Sequence, residues 1–188
     1  MKGECAGETS SRHVALLRGI NVGGKNMLPM KELAGLFAEA GCTDVTTYIQ
    51  SGNVLFSADN TVAAGLAAAI SHQIDERFGL RVSVVLRSDP ELTAAIRNNP
   101  FLRAGTEEDL LHVYFLAGMP DAADVAGLDA ARSAPDAFAV VGREIYLHLP
   151  HGMARTKLTN AYFDSKLRTV STARNWRTIL KLAELLKG

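Results

Sequence analysis

"DVTTYIQSGNVLFS", residues 44–57, reads as two short strands around a tight turn. Asp44 to Ile49 carries Val, Thr and Tyr, residue types that fit a pleated strand. Gln50-Ser51-Gly52-Asn53 has turn chemistry, and Val54 to Ser57 leads out of it. A connection of a few residues cannot house a crossover, so the two strands must be antiparallel. That constraint fixes how the flanking elements can be arranged.

Upstream, His13 to Arg18 (HVALLR) is a mostly apolar strand, and a glycine-rich loop follows it. Pro29 fits the first position of a helix. Met30, Leu33, Leu36, Phe37 and Ala40 then repeat at helical spacing until Gly41. Downstream, Val62, Leu66, Ile70, Ile74 and Phe78 mark a second helix, and Val82, Val84 and Leu86 alternate as a strand. Strand, helix, hairpin, helix, strand is the split βαβ, ferredoxin-like order. A connector follows, with Asp89 as N-cap, Pro90 at the first helical position and Pro100 as its stop.

The order then recurs. Leu111 to Leu116 is a strand, and alanine-rich Asp121 to Arg132 is a helix. Phe138 to Val141, Gly142-Arg143-Glu144 and Ile145 to Leu149 make a second hairpin. Lys157 to Leu167 is a helix, and Val170 to Thr172 a short strand. A last helix from about Asn175 to Leu186 has Trp176, Ile179, Leu180, Leu182 and Leu186 on its apolar side. The expected fold is therefore α+β: two tandem ferredoxin-like (βαββαβ) halves with a helical connector and a C-terminal helix. The expected division is a flexible leader 1–12, a first half 13–88, a connector 89–109, a second half 110–172 and a C-terminal helix 173–188.

Composition narrows the class. The chain has 188 residues, 47% of them hydrophobic, enough to bury a sizeable core. Twenty basic and 20 acidic residues cancel, so a global polybasic footprint for nucleic acid is absent. Cys5 and Cys42 are no disulfide framework, and Cys42 reads as a small buried residue. The leader MKGECAGETSSR lacks the apolar segment of a signal peptide, and no apolar run approaches membrane-spanning length. The expectation is a cytoplasmic protein with no membrane association and no cofactor. His13, His72, His112, His148 and His151 show no metal-ligand spacing.

"RGINVGGKNMLPM", residues 18–30, holds the strongest chemical signal. Gly19, Gly24 and Lys25 nearly match the nucleotide loop G-x-x-x-x-G-K-[ST], with Asn26 in place of the hydroxyl. The match fails physically. A nucleotide loop needs its lysine at the start of a helix, whereas Pro29 disfavours helical geometry at Leu28. The motif also belongs to parallel sheets, and a hairpin follows here. Two readings remain: a wide turn using glycine freedom at Gly19, Gly23 and Gly24, or a nest of N–H groups around an anion. Arg18 and Lys25 flank it, with Asn21 and Asn26 inside.

Two later stretches have similar character. "HGMARTKLT", residues 151–159, places His151, Arg155 and Lys157 after the second hairpin, with Thr156 or Thr159 as a cap. "TARNW", residues 172–176, puts Arg174 and Asn175 at the start of the last helix, where the dipole favours an anion. Either these are three separate surface loops, with Arg174 paired to a carboxylate, or they converge on one site. Gln50, Ser51 and Asn53 of the first hairpin lie within reach of the glycine loop if that hairpin borders the first strand. Trp176 reads as a core residue.

Together, "LLRGINVGGKNMLPMKEL", "YIQSGNVLF", "KLTNAYF" and "TARNWRTILKL" resemble the bacterial domain-of-unknown-function 1697 family, over essentially the whole chain beyond the leader. The match runs from Arg18 to Pro29 and from Tyr48 to Phe56. It departs at Thr156, Ala173 and Arg177, where the family more often has Ser, Thr and Asn. The resemblance implies tandem α/β halves and no established activity.

Three functions follow as expectations. The first is binding of a phosphate-bearing partner, a nucleotide or a nucleic acid segment, by Arg18, Asn21, Gly23, Gly24, Lys25, Asn26, Gln50, Asn53, Arg155, Lys157, Arg174 and Asn175. The second is a small hydrolase of phosphorylated or acyl-phosphate substrates. By analogy with acylphosphatases, Arg18 would cradle phosphate there and Asn53 or Gln50 would place water. The third is a non-catalytic interaction module.

Overall fold

The computed structural model describes residues 10–188. The leader expected over 1–12 thus lies mostly outside the described residues, as does Cys5. The first strand, β1, runs Ser11–Leu17. Then come α1 (Met30–Glu39), β2 (Thr43–Tyr48), β3 (Asn53–Ala58), α2 (Asn60–Phe78) and β4 (Val84–Ser88). The next elements are α3 (Asp89–Arg97), α4 (Pro100–Arg103), β5 (Leu111–Leu116), α5 (Ala122–Ala126) and β6 (Ala137–Val141). The chain closes with β7 (Glu144–His148), α6 (Asn160–Leu167), β8 (Ser171–Asn175) and α7 (Trp176–Leu186).

The strands form two four-stranded sheets, ordered β2-β3-β1-β4 and β6-β7-β5-β8, with all pairs antiparallel. Both have the ferredoxin-like order, so the α+β fold of tandem halves expected from the hairpin is the fold observed. Tyr48 pairs with Asn53 across the first turn, which closes the hairpin tightly.

Five layers result. One face of the first sheet carries Ala15, Leu17, Val54 and Phe56 and packs on α1 and α2 through Leu36, Phe37, Leu66 and Ile70. The opposite face carries Val14, Leu16, Leu55 and Val85. It shares one apolar cluster with α3, α7 and the inner face of the second sheet, which contributes Leu111, Val113, Phe115 and Tyr146. Tyr114, Leu116 and Leu147 on the outer face of that sheet pack against Phe163 and Leu167 of α6. β1 and β5 are therefore covered on both faces. Trp176, Ile179, Leu182, Ala183 and Leu186 put a continuous stripe of α7 into the middle layer. Each such large aliphatic or aromatic side chain contributes about 1.5–3 kcal/mol when fully buried.

Local chemistry corrects several expected boundaries. Pro29 is the N-cap of α1, not its first residue. Ser88, not Asp89, caps α3, and it forms a reciprocal capping box with Glu91. Asn99 caps a further turn that Pro100 starts instead of stopping. The alanine-rich helix expected over 121–132 is cut to five residues, because Gly127 takes the C-cap and the chain turns. Thr159 caps α6 by accepting from Tyr162 N at 3.2 Å, so that helix starts after the basic stretch. β8 extends through Asn175, which places Arg174 on a strand and leaves only Asn175 as the cap of α7.

Candidate functional site

A cleft of about 390 Å³ opens where the two halves meet. Arg18, Gly19, Ile20 and Val22 line it from the glycine loop, and Ile49 and Ser51 from the first hairpin turn. Asn160, Thr172, Arg174, Asn175 and Thr178 complete it from the second half. The strand ends explain the meeting. Leu17 closes β1 and its N–H donates to Gly52 O at 2.8 Å, which brings the glycine loop beside the hairpin turn. β8 then runs past both.

Arg174 joins these segments. It is 8% exposed, and its guanidinium donates to six oxygens. Nε donates to Asn53 Oδ1 at 2.6 Å. Nη1 donates to Thr172 Oγ1 and the Ala173 carbonyl, and Nη2 to the carbonyls of Leu17 and Gly52, both at 2.9 Å, and of Ser51 at 3.3 Å. The carboxylate partner that the separate-loops alternative gave Arg174 is absent among the described residues: every acceptor is neutral. Burial pulls its guanidinium down to about 10, still well above neutral pH. The cleft floor thus carries a full, unbalanced positive charge.

Gly52 makes this contact possible. Its φ is +76°, and a Cβ there would lie 2.8 Å from Leu17 Cβ. Only glycine takes that backbone at that separation without strain.

The other expected residues divide sharply. Arg18 lines the cleft but forms an ion pair with Asp164 of α6. Asp164 also accepts from Ser171 Oγ at 2.6 Å. Asn21 holds the loop shut: its Nδ2 donates to the carbonyls of Leu28 and Gln50, and its Oδ1 accepts from Leu28 N. Asn26 Nδ2 closes the loop from the other side by donating to Gly19 O at 2.9 Å. Asn53 accepts from Arg174 and donates to Tyr48 O and Ser51 Oγ. The water-placing role expected of Asn53 thus has no free amide to perform it. Gly23, Gly24, Lys25 and Gln50 are exposed and are not part of the cleft wall.

Arg155 and Lys157 are not part of it either. Lys157 N donates to Ser133 Oγ, and Lys157 O accepts from Arg132 Nε, which ties that stretch to the loop before β6. Two of the three basic stretches therefore meet, and the third contributes only through Asn160 of the helix it leads into. The sequence reading missed Asp164, Thr172 and Thr178, whereas Ser51 was expected within reach of the glycine loop. Asp164 had a signal, since it follows Asn160 by one helical turn in "TNAYFDS".

Elsewhere, Cys42 is buried and its thiol is pushed up to about 11 by burial, as expected of a structural cysteine. Trp176 is 1% exposed. Among the described residues no cluster of His, Cys, Asp and Glu is disposed to hold a metal, and no helix is long and apolar enough to cross a membrane.

Comparison with known proteins agrees with this architecture. The conserved bacterial protein SP0830 from Streptococcus pneumoniae is similar in structure, with a TM-score of 0.72 and 24% identity. The match covers 95% of this chain and 99% of that one, and it shows a shared fold. No curated protein matches the sequence. Residues 11–146 match the family model described as protein of unknown function, DUF1697. That match spans most of the chain, and the protein belongs to the DUF1697 family.

Proposed function

We propose that the protein binds a phosphate-bearing small molecule in the cleft over Arg174. The observation that carries this reading is the buried Arg174 charge, held by neutral oxygens alone beneath an open cleft with both polar and apolar walls. A charge in low dielectric attracts an oxyanion more strongly than the same charge in water. Its donors are all engaged, so the attraction acts through space, and other groups make the contacts. Asn175 and Thr178 at the start of α7, and Asn160 at the start of α6, abut the same cleft. Helix N-termini supply partial positive charge there.

The cleft volume falls in the range of small-ligand sites. A neutral chain and a cleft of this limited size favour a single small ligand over a nucleic acid track. The engagement of Arg18 by Asp164 and of Asn53 by Arg174 favours binding over phosphate hydrolysis. Calorimetric titration with inorganic phosphate and with a nucleoside monophosphate at low salt tests the reading. Saturable heat is expected, and no heat from either overturns it.

A further inference from the structure

We propose that the phosphate ligand carries an apolar group that packs against Val22 and Ile49, which makes it a hydrophobic phosphate monoester. This rests on reading the cleft as a phosphate site and adds the class of molecule attached to the phosphate. Val22 comes from the glycine loop and Ile49 from the β2–β3 turn, yet both line the same cleft. They are 61% and 51% exposed, and neither belongs to a hydrophobic core. Two large aliphatic side chains therefore stand in solvent at a cleft whose floor is polar and charged.

Ile49 stands there against its own backbone preference. Its φ is +49°, in the left-handed region, where a β-branched residue is a genuine outlier. Asparagine or glycine would fit that turn with less strain. The isoleucine contributes little burial to the fold, so its side chain serves what enters the cleft. Strain of this kind collects at ligand clamps. The spacing of the two walls is also fixed, because Asn21 Nδ2 donates to Gln50 O at 2.9 Å and ties the loop to the turn. A ligand with a bare phosphate or a polyol would leave both aliphatic groups wet. A hydrophobic group covers them while its phosphate faces Ser51, Thr172 and the Arg174 charge.

The test compares inorganic phosphate with phenyl phosphate by calorimetry at low salt. In the native protein phenyl phosphate binds at least tenfold more tightly. In Val22→Ser/Ile49→Asn, whose replacements suit an exposed loop and a left-handed backbone, that ratio falls toward one. Equal affinity for both probes in the native protein overturns this inference and leaves the phosphate site standing. So does a tenfold ratio that survives the double substitution. If neither probe binds the native protein, both readings fall.

Discussion

Arg87 and Arg174 occupy equivalent positions in the two halves, and each reaches into the other half. Arg87 on β4 stands opposite Val14 of β1, and Arg174 on β8 stands opposite Val113 of β5. Arg87 donates to the carbonyls of Leu116, which ends β5, and Arg143 in the second hairpin turn. Arg174 donates to the carbonyls of Leu17, which ends β1, and Gly52 in the first hairpin turn. The Nε atoms break the symmetry. Arg87 meets the Glu144 carboxylate at 2.9 Å, whereas Arg174 meets the Asn53 amide oxygen at 2.6 Å. Glu144 and Asn53 each open the third strand of their half. One end is charge-balanced, and the other keeps its charge beneath the cleft.

Removing either arginine is expected to loosen the junction. Arg174→Met leaves Asn53 Oδ1 and the carbonyls of Leu17 and Gly52 short of a donor, a loss of about 3 kcal/mol or more. Arg174→Lys recovers little, since a point ammonium cannot span acceptors set around a planar fork. Arg87→Met strands the Glu144 carboxylate, at about 3–5 kcal/mol. Urea denaturation measures all three. A stability for Arg174→Met within 1 kcal/mol of native would show that the junction does not depend on it.

Gly52→Ala combines a left-handed backbone, which disfavours a side chain by about 1–2 kcal/mol, with a Cβ 2.8 Å from Leu17 Cβ. Overpacking adds about 1–3 kcal/mol. The expected loss is roughly 2–5 kcal/mol on the same denaturation curves. Gly24→Ala is milder, because its Cβ would meet nothing within 4 Å.

These positions also show what the sequence could and could not reveal. The hairpin at residues 44–57 was legible because its turn is local, and it fixed the strand order of the first half. The second half followed by recurrence. The five layers were not legible: a stripe such as Trp176, Ile179 and Leu182 reveals that α7 has a buried face, not that two sheets share it. The helix expected over 121–132 rested on alanine content, which Gly127 overrode. Arg174 read as a loop residue at the start of the last helix, either a surface cation, as arginines usually are, or part of a shared anion site. Its burial depends on acceptors from the opposite half of the chain, which no local pattern encodes. Arg155 and Lys157 carried the same local signal and lie away from the cleft.

Stability should fall below neutral pH. Burial lowers His13 and His112 from their ordinary value of 6.5. For each, the unfolded chain binds more protons over the window from the lowered folded value up to 6.5, so stability rises with pH there. Thermal midpoints are expected to drop between pH 7 and pH 5. His13→Gln with His112→Gln should flatten that slope. A slope unchanged by the double substitution would place the titration elsewhere.

The most direct test of the unbalanced charge is calorimetric titration of phenyl phosphate into native protein and into Asn53→Asp at low salt. The aspartate gives Arg174 the kind of partner that Glu144 gives Arg87. Saturable binding to the native protein, weakened at least tenfold in folded Asn53→Asp, is the predicted result. Equal binding to both proteins would contradict the account, because the anion would then not be sensing the Arg174 charge.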